Sequence, residues 1–508
     1  MRTFFLSIIF FSIIFSVTEL SGQGSKILPV SDISYTYIKQ LQNRGVISGL
    51  NPTSLPYTYS EISKSLDKID RESISELELL WIKRVEERIK DSDLGFEIIQ
   101  NSSLSDTKRL SELDPLNTNL YIYPFVRFNG FITFNDFVGN GNITHSLYYD
   151  QDPDGIDSGD RLYMRSENTY FGYQNNGLSM YLGRYSHHWA PYGESSTLLS
   201  DHAQSFDHFS LGYDSKYISF ESMLGELDNL DPNGNFTGQG ISEGSQRRFF
   251  AGHRIDWRPF KNFQVTYFES IIYSGFNTGI SLKYLNPFNL FGLESSNSPI
   301  NEDANLLVGL GIWSQFNKVT VHTQFMLDDM HFLDRDEVTT FSTTASFHIA
   351  EVISSADIGF ELEAVAYQTY NAPQPAGRYL YLGKGIATRN TDYVLGKIYS
   401  KIYLDEHVNG LTITPSLTYY LQGEQTINQP IVRNNPDGSL IDIILTGEVE
   451  KTLRAGINIF YNPHPNFWFE LNTGYNKVDN YMNVNGAANN RFSTIAKIGF
   501  RFGLYHSN

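Results

Sequence analysis

The chain of 508 residues contains no cysteine. That excludes disulfides, thiolate nucleophiles and every zinc or iron–sulfur site built on Cys. Basic residues are scarce: 38 Lys and Arg stand against 56 Asp and Glu, a formal charge of −18. Nucleic acid is therefore not an expected partner, because phosphate neutralisation needs a Lys/Arg surface. Long apolar runs are also missing. Beyond the first residues nothing could cross a bilayer as a helix, and a mean hydropathy of −0.29 excludes a multi-helix transporter.

What the chain does have is an aromatic load unusual for a polar protein: 36 Phe and 32 Tyr beside 40 Gly. Its length suits two or three soluble domains or one large sheet. Met1 and Arg2 precede the apolar run FFLSIIFFSIIFSV at 4–17, with small residues at Ser21 and Gly22. This pattern predicts a signal peptide over 1–22, cut near Gly22 and Gln23, and hence export.

From residue 31 to about 90 the apolar period is helical. Ile33, Tyr37, Ile38 and Leu41 share one face, and Gly45 stands at a C-cap distance. Thr58 with Glu61, and Ser73 with Glu76, read as capping boxes opening two further helices. Three such stripes make a small core, so a helical region over 23–115 is expected to cap something larger. The run from Val30 to Leu66, with Asp32 before its first helix and RGVISG at 44–49, also resembles an S-layer homology repeat. Modules of that family bind cell-wall polysaccharide.

Near residue 120 the period changes to two, and alternating aromatic-rich runs follow to the C-terminus. Roughly sixteen are countable, most near the ~10 residues a tilted membrane strand needs. Short turns, such as those at 174–177, 214–216, 317–318 and 462–466, alternate with long polar stretches at 138–160, 225–245, 371–391 and 422–446. That alternation is the signature of a transmembrane barrel with short periplasmic turns and long outer loops. Apolar residues facing outward and polar ones facing the lumen average to low hydropathy, and Tyr, Trp and Phe are expected in two interfacial girdles. The last strand shows the pattern: Ile498, Phe500 and Phe502 alternate with Gly499, Arg501 and Gly503. The expected fold is an all-β transmembrane barrel of roughly 16–18 antiparallel strands over 116–508, its periplasmic end capped by the N-terminal helices.

The densest polar segment is GRYSHHWAPYGESSTLLSDHAQSFDHFSLG at 183–212, holding four of the chain's 12 His. Arg184, His187, His188, Trp189, Tyr192, Ser200, Asp201 and His202 form a candidate glycan site. Trp and Tyr offer flat faces to pyranose rings, and the polar groups offer directional hydrogen bonds. A metal site would use His187, His188, His202 and His208, but no metal-ligand spacing is present. A barrel hydrolase would need carboxylate couples such as Asp328 with Asp329 or Asp207 with His208, pairs that chance supplies in an acidic chain. The remaining reading is that these side chains only pack a constriction loop.

At this segment the chain resembles the Wzi-type capsule assembly family. The shared features are Gly183 and Arg184 at a strand end, Trp189, Pro191 and Gly193 in a W-x-P-x-G turn, then Leu198, Leu199, Ser200 and Ala203. HRIDWRPF at 253–260 and KYLNPF at 283–288 support it. The resemblance implies an outer-membrane barrel of about eighteen strands in a Gram-negative bacterium. It implies a non-enzymatic role without cofactor or metal, the binding of capsular or extracellular polysaccharide for its assembly, export or attachment. Outer-membrane lipid and lipopolysaccharide are the expected surroundings. An anionic glycan would need divalent cations to bridge it to acidic loops. A porin-like diffusion channel for small solutes is the alternative.

Overall fold

The computed structural model describes residues 26–90, 92–116, 119–155, 164–237, 244–297, 303–328, 340–353, 355–431 and 442–507. The expected signal segment and Asp329 lie outside the described residues.

Alternating residues from about 94 onward build one closed antiparallel sheet of 18 strands. They are β1 (Leu94–Ser105), β2 (Phe125–Phe134), β3 (Phe137–Ser146), β4 (Thr169–Asn175), β5 (Leu178–Arg184) and β6 (Asp207–Asp214). Next come β7 (Ile218–Glu226), β8 (Arg247–Phe260), β9 (Phe263–Gly275), β10 (Asp303–Phe316), β11 (Val319–Asp328) and β12 (Thr340–Ile353). The sheet ends with β13 (Ala356–Val365), β14 (Tyr393–Tyr403), β15 (Leu411–Gln422), β16 (Glu450–His464), β17 (Phe467–Asp479) and β18 (Arg491–His506). Two short pieces, Tyr121–Tyr123 and Met164–Arg165, prolong β2 and β4. β1 pairs with β2 on one side and β18 on the other, so no edge is left open.

Short turns and long loops alternate around the whole ring. Asn176 (φ +49°) and Gly177 (φ +84°) make the two-residue turn from β4 to β5, a left-handed geometry that matches the strand twist. A side chain at Gly177 would also meet the Asp214 carbonyl at 2.2 Å.

The sheet begins earlier than the boundary expected at 116, because residues 94–105 are its first strand. The other strand beyond the sixteen expected is β3, which overlaps the stretch 138–160 that the sequence marks as a long polar connection. Leu282–Tyr284 form a 3₁₀ turn. Both extra strands alternate weakly: β1 turns polar after Ile99, and β3 carries Gly139 and Gly141 where apolar side chains would mark a face.

Aromatics divide by chemistry rather than gathering wholly into girdles. Phe96, Phe171, Phe325, Phe347, Phe500 and Phe502 face outward and are exposed, whereas Tyr170, Tyr181, Tyr370, Tyr379 and Tyr393 are buried. A tyrosine hydroxyl finds partners among the polar groups of a filled lumen, while phenylalanine has nothing to satisfy in an apolar surrounding. Girdle-like sets do form, from Tyr213, Tyr217, Trp257, Phe260 and Phe316 near the short turns and from Tyr419, Tyr475 and Phe492 toward the long loops.

Three helices, α1 (Ser34–Asn43), α2 (Tyr59–Leu66) and α3 (Glu76–Arg88), close the short-turn mouth. Their stripes bury Ile38, Leu41, Ile62, Trp81 and Val85 in one cluster. The Thr58 and Glu61 capping box is present. The second box falls at Ser75 and Glu78 rather than Ser73 and Glu76. Ser73 instead donates to the Asp70 carbonyl in the preceding turn, so the helix starts two residues later. Polar ties join the helices to the barrel rim: Tyr37 Oη to Asn462 at 2.6 Å, Arg84 to Asn409 at 2.6 Å, Arg44 to Asp357 at 2.7 Å.

Asp32 accepts from Arg88 at 2.5 Å and lies 3.6 Å from Arg501 of β18. Burial raises its carboxyl, but the two guanidinium groups outweigh that and hold it below the usual carboxylate range. A carboxylate depressed in the folded state stabilises above its unfolded pKa of about 3.9 and loses that contribution as pH falls further. Melting curves of the wild type should therefore lose more stability than those of Asp32→Asn between pH 5 and 2. Parallel losses would contradict this.

Candidate functional site

Two long loops fold into the lumen: residues 185–206 between β5 and β6, and 366–392 between β13 and β14. They are stitched together by Ser200 N–H to the Ile386 carbonyl at 2.9 Å and Tyr370 Oη to the Thr197 carbonyl at 2.6 Å. Trp189, Leu198, Leu199, Tyr379 and Ile386 bury one apolar cluster against Phe250, Phe268 and Met326 of the wall. Around that cluster the loops leave polar cavities.

One is about 490 Å³, within the range of roughly 300–1,000 Å³ typical of small-ligand sites. His188, Ser200, Asp201 and His202 line it from one loop, and Thr388, Arg389 and Asn390 from the other. Tyr393 and Tyr420 form an aromatic wall, their ring centres 5.6 Å apart. Glu194, Glu363, Ser111 and Asp114 complete the lining. A second cavity of about 220 Å³ shares Asp201 and His202 and reaches Pro29 to Ser31 of the N-terminal region.

Most charges here are already compensated. Arg389 lies 2.8 Å from Asp114, Lys39 reaches Glu194 at 2.9 Å, and the Tyr393 hydroxyl donates to Glu363 at 2.9 Å. His188 Nδ1 meets Asp201 at 3.1 Å. Burial raises the Asp201 carboxyl, but that hydrogen bond, the attraction of the His188 and His202 rings and a backbone N–H together outweigh it and keep the group below the usual range, hence ionised. His202 is pushed down to about 3 by burial and the nearby Lys384 and Arg389 cations, so its ring is neutral at pH 7. The Nε2 atoms of His188 and His202 have no protein hydrogen-bond partner. A chamber of carboxylates, hydroxyls, an amide, a guanidinium and two tyrosine faces is suited to a polyhydroxylated ligand.

Of the eight residues singled out in the sequence, the structure brings together four: His188, Ser200, Asp201 and His202. Arg184 pairs instead across strands with Asp207 and donates to the Ser166 carbonyl at 3.3 Å. His187 turns to a separate space, 2.8 Å from Glu221 and 3.0 Å from His208. Trp189 is 1% exposed beneath Arg254, and Tyr192 stacks on Tyr35 of α1 at 5.5 Å. His187 and Trp189 pack the plug, Tyr192 joins it to the helical cap, and Arg184 stays with β5.

The four histidines do not converge, and among the described residues no group of three or more metal-ligating side chains is found. Asp207 and His208 are successive strand residues facing opposite sides, one exposed and one buried, so they form no couple. Arg389, Asn390, Tyr393, Tyr420, Glu363 and Asp114 were not legible in advance. They come from chain segments far apart, and the only local sign was the long connection at 371–391.

No family model matches the chain, and no curated protein matches it. Among solved structures it is similar to Wzi of Escherichia coli, an outer membrane protein involved in group 1 capsule assembly and a carbohydrate-binding β-barrel. That match has a TM-score of 0.65 at 12% identity, over 94% of this chain and 100% of that one. OccK10 (OpdN) of Pseudomonas aeruginosa aligns with a TM-score of 0.47 at 9% identity, over 82% of this chain and 100% of that one. The fold is thus that of an outer-membrane β-barrel.

Proposed function

We propose that the chain is a non-enzymatic outer-membrane barrel that binds a capsular or extracellular polysaccharide and assists its assembly, export or attachment at the cell surface. The N-terminal apolar segment directs its export. The observation that carries this reading is the cavity of about 490 Å³ where Asp201, Arg389, Asn390, Tyr393 and Tyr420 converge. Flat aromatic faces beside directional donors and acceptors are what a sugar unit needs. The shared fold with a carbohydrate-binding barrel adds support. With four carboxylates in its lining against one guanidinium, the chamber favours a neutral glycan, or an acidic one bridged by divalent cations. The lumen, filled by two loops and capped by three helices, speaks against a porin-like channel.

The test is a glycan array probed with the refolded barrel, with and without calcium. Arg389→Ala and Asp201→Ala should each weaken the glycan retained by the wild type about 10- to 100-fold, since hydrogen bonds to charged groups contribute about 1.5–3 kcal/mol. Arg184→Ala, outside the cavity, should bind as the wild type does. Equal binding by all three variants would remove the cavity from the proposal, and an array without hits would remove the glycan.

A further inference from the structure

On β8, Arg248, Phe250, Arg254 and Asp256 reach the lumen loops and the cap. The alternate positions Phe249, Ala251 and His253 therefore point outward. Outward residues elsewhere are exposed, as Leu182 (62%) and Leu310 (56%) show, yet His253 is 1% exposed. The connection between β9 and β10 covers it.

That segment leaves the long-loop rim at Gly275 and lies down against the outer wall. Tyr284 and Phe291 pack on Leu224, Phe249, Ala251, Ile271 and Tyr273. The Ser222 hydroxyl donates to the Leu285 carbonyl at 2.7 Å, and Phe288 meets Phe220 with ring centres 6.0 Å apart. Phe220 pairs with Ile255, two residues from the short-turn end of that ladder. From Arg247 down to Ile255, at ~3.3 Å per residue and a tilt near 40°, the segment spans roughly 20 Å of a ~25 Å apolar band.

At that depth exposed irregular backbone is tolerated only when its polar groups are satisfied. Here they are tied locally. Leu285 N–H reaches the Leu282 carbonyl at 3.1 Å, Asn289 N–H the Asn286 carbonyl at 3.1 Å, and Leu293 N–H the Leu290 carbonyl at 3.1 Å. The side chains of Asn286 and Asn289 bond each other at 3.0 Å. The free face carries Phe276, Ile280, Leu282, Phe288, Leu290 and Leu293, all exposed and continuous with the outward apolar surface of the barrel.

Besides the Ser222 hydroxyl, and the Tyr273 hydroxyl that accepts from Ser281 N–H at 3.2 Å, one carboxylate fastens the segment. Glu269 Oε1 accepts from Phe291 N–H at 2.9 Å and lies 2.9 Å from His253 Nε2, and the Phe291 ring covers His253 at 4.3 Å. A carboxylate and an imidazole on the outward face of a membrane barrel would otherwise meet acyl chains at a cost of several kcal/mol.

We propose that residues 276–294 form a lipid-immersed strap, clasped to the wall through Glu269 and His253, whose free face takes the acyl chains of the surrounding membrane. The proposal rests on the barrel lying in a membrane. Since the chain lacks cysteine, Phe288→Cys and Leu290→Cys can each carry a single fluorophore on the full-length barrel refolded into vesicles of acyl-brominated lipid. Both should be quenched as strongly as Leu182→Cys on the bare wall. Quenching at Leu182→Cys alone would overturn the strap, as would disulfide-linked dimers through Phe288→Cys, which would give the face to a second copy. No quenching at any site would overturn the membrane reading and the strap with it. Glu269→Ala should raise labelling of Phe288→Cys by a charged maleimide severalfold, with Glu269→Gln between. Unchanged labelling in barrels that keep folded, heat-modifiable mobility would refute the clasp.

Discussion

Glu97→Ala should lower the stability of the folded barrel by about 3–5 kcal/mol, the usual cost of leaving a buried ion pair without one partner. Glu97 is 1% exposed on the lumen face of β1. It lies 2.9 Å from Arg88 of α3 and 3.4 Å from Lys26, and accepts from Tyr505 of β18 at 2.7 Å and Asn129 of β2 at 3.2 Å. Four segments thus meet on one carboxylate. Its removal strands two cations in a site sealed from water, although Asp32 keeps a hold on Arg88. Burial has already pushed Lys26 down to about 8, so at neutral pH it remains a cation that needs Glu97. Glu97→Gln, which keeps acceptors but not the charge, should fall between. Equilibrium unfolding in urea, with the barrel in lipid, reads the difference. A change under 1 kcal/mol would mean that the helices sit on the barrel without depending on this contact.

Arg248→Ala should change a property rather than a number, turning a silent barrel into a conducting one. Arg248 is fully buried, 2.9 Å from Asp228. Its guanidinium also donates to the carbonyls of Ala376 at 2.7 Å, Arg378 at 2.6 Å and Leu380 at 2.9 Å. One side chain therefore holds three alternate residues of the 366–392 loop against β8. Without it three carbonyls and a carboxylate lose their donors inside the lumen, at about 1–3 kcal/mol for each group left unsatisfied. The loop should then come away from the wall while the eighteen-strand ring, whose ladders do not involve it, persists. Planar-bilayer recordings should show no steady current for the wild type and open events for the variant. Limited proteolysis should cut the loop while the rest of the barrel resists. Arg248→Lys keeps a charge but not the planar fork, and should conduct intermittently. A wild type that conducts steadily would show that the filled lumen still leaves a water path.

Strand identity was most legible where both faces of a strand spoke clearly. In β18 the outward Ile498, Phe500 and Phe502 alternate with Arg501, and nothing else fits such a pattern. β1 was illegible because its second half, Gln100 to Ser105, alternates nothing. Within the candidate site, nearness along the chain misled and nearness in space decided. Trp189 stands beside His188 in sequence but faces the apolar centre of the plug, whereas Arg389 and Tyr420 share the cavity with His188. A loop that folds back into a barrel places neighbours on opposite sides, and no periodicity announces which. The aromatics misled in the same way, since composition counted the tyrosines without indicating that a filled lumen would take so many of them.

The seam between β1 and β18 sets an order of events. These strands pair from Leu94 with His506 through to Ser105 with Ile495, and Glu97 and Tyr505 are 408 positions apart. A pairing so distant is the costliest loop to close, so hairpin-by-hairpin growth leaves it until last. Residues 185–206 and 366–392 belong to hairpins made before that moment. α3, only a few residues ahead of Leu94, is delivered by the same strand that shuts the ring. Closure and capping are then one act.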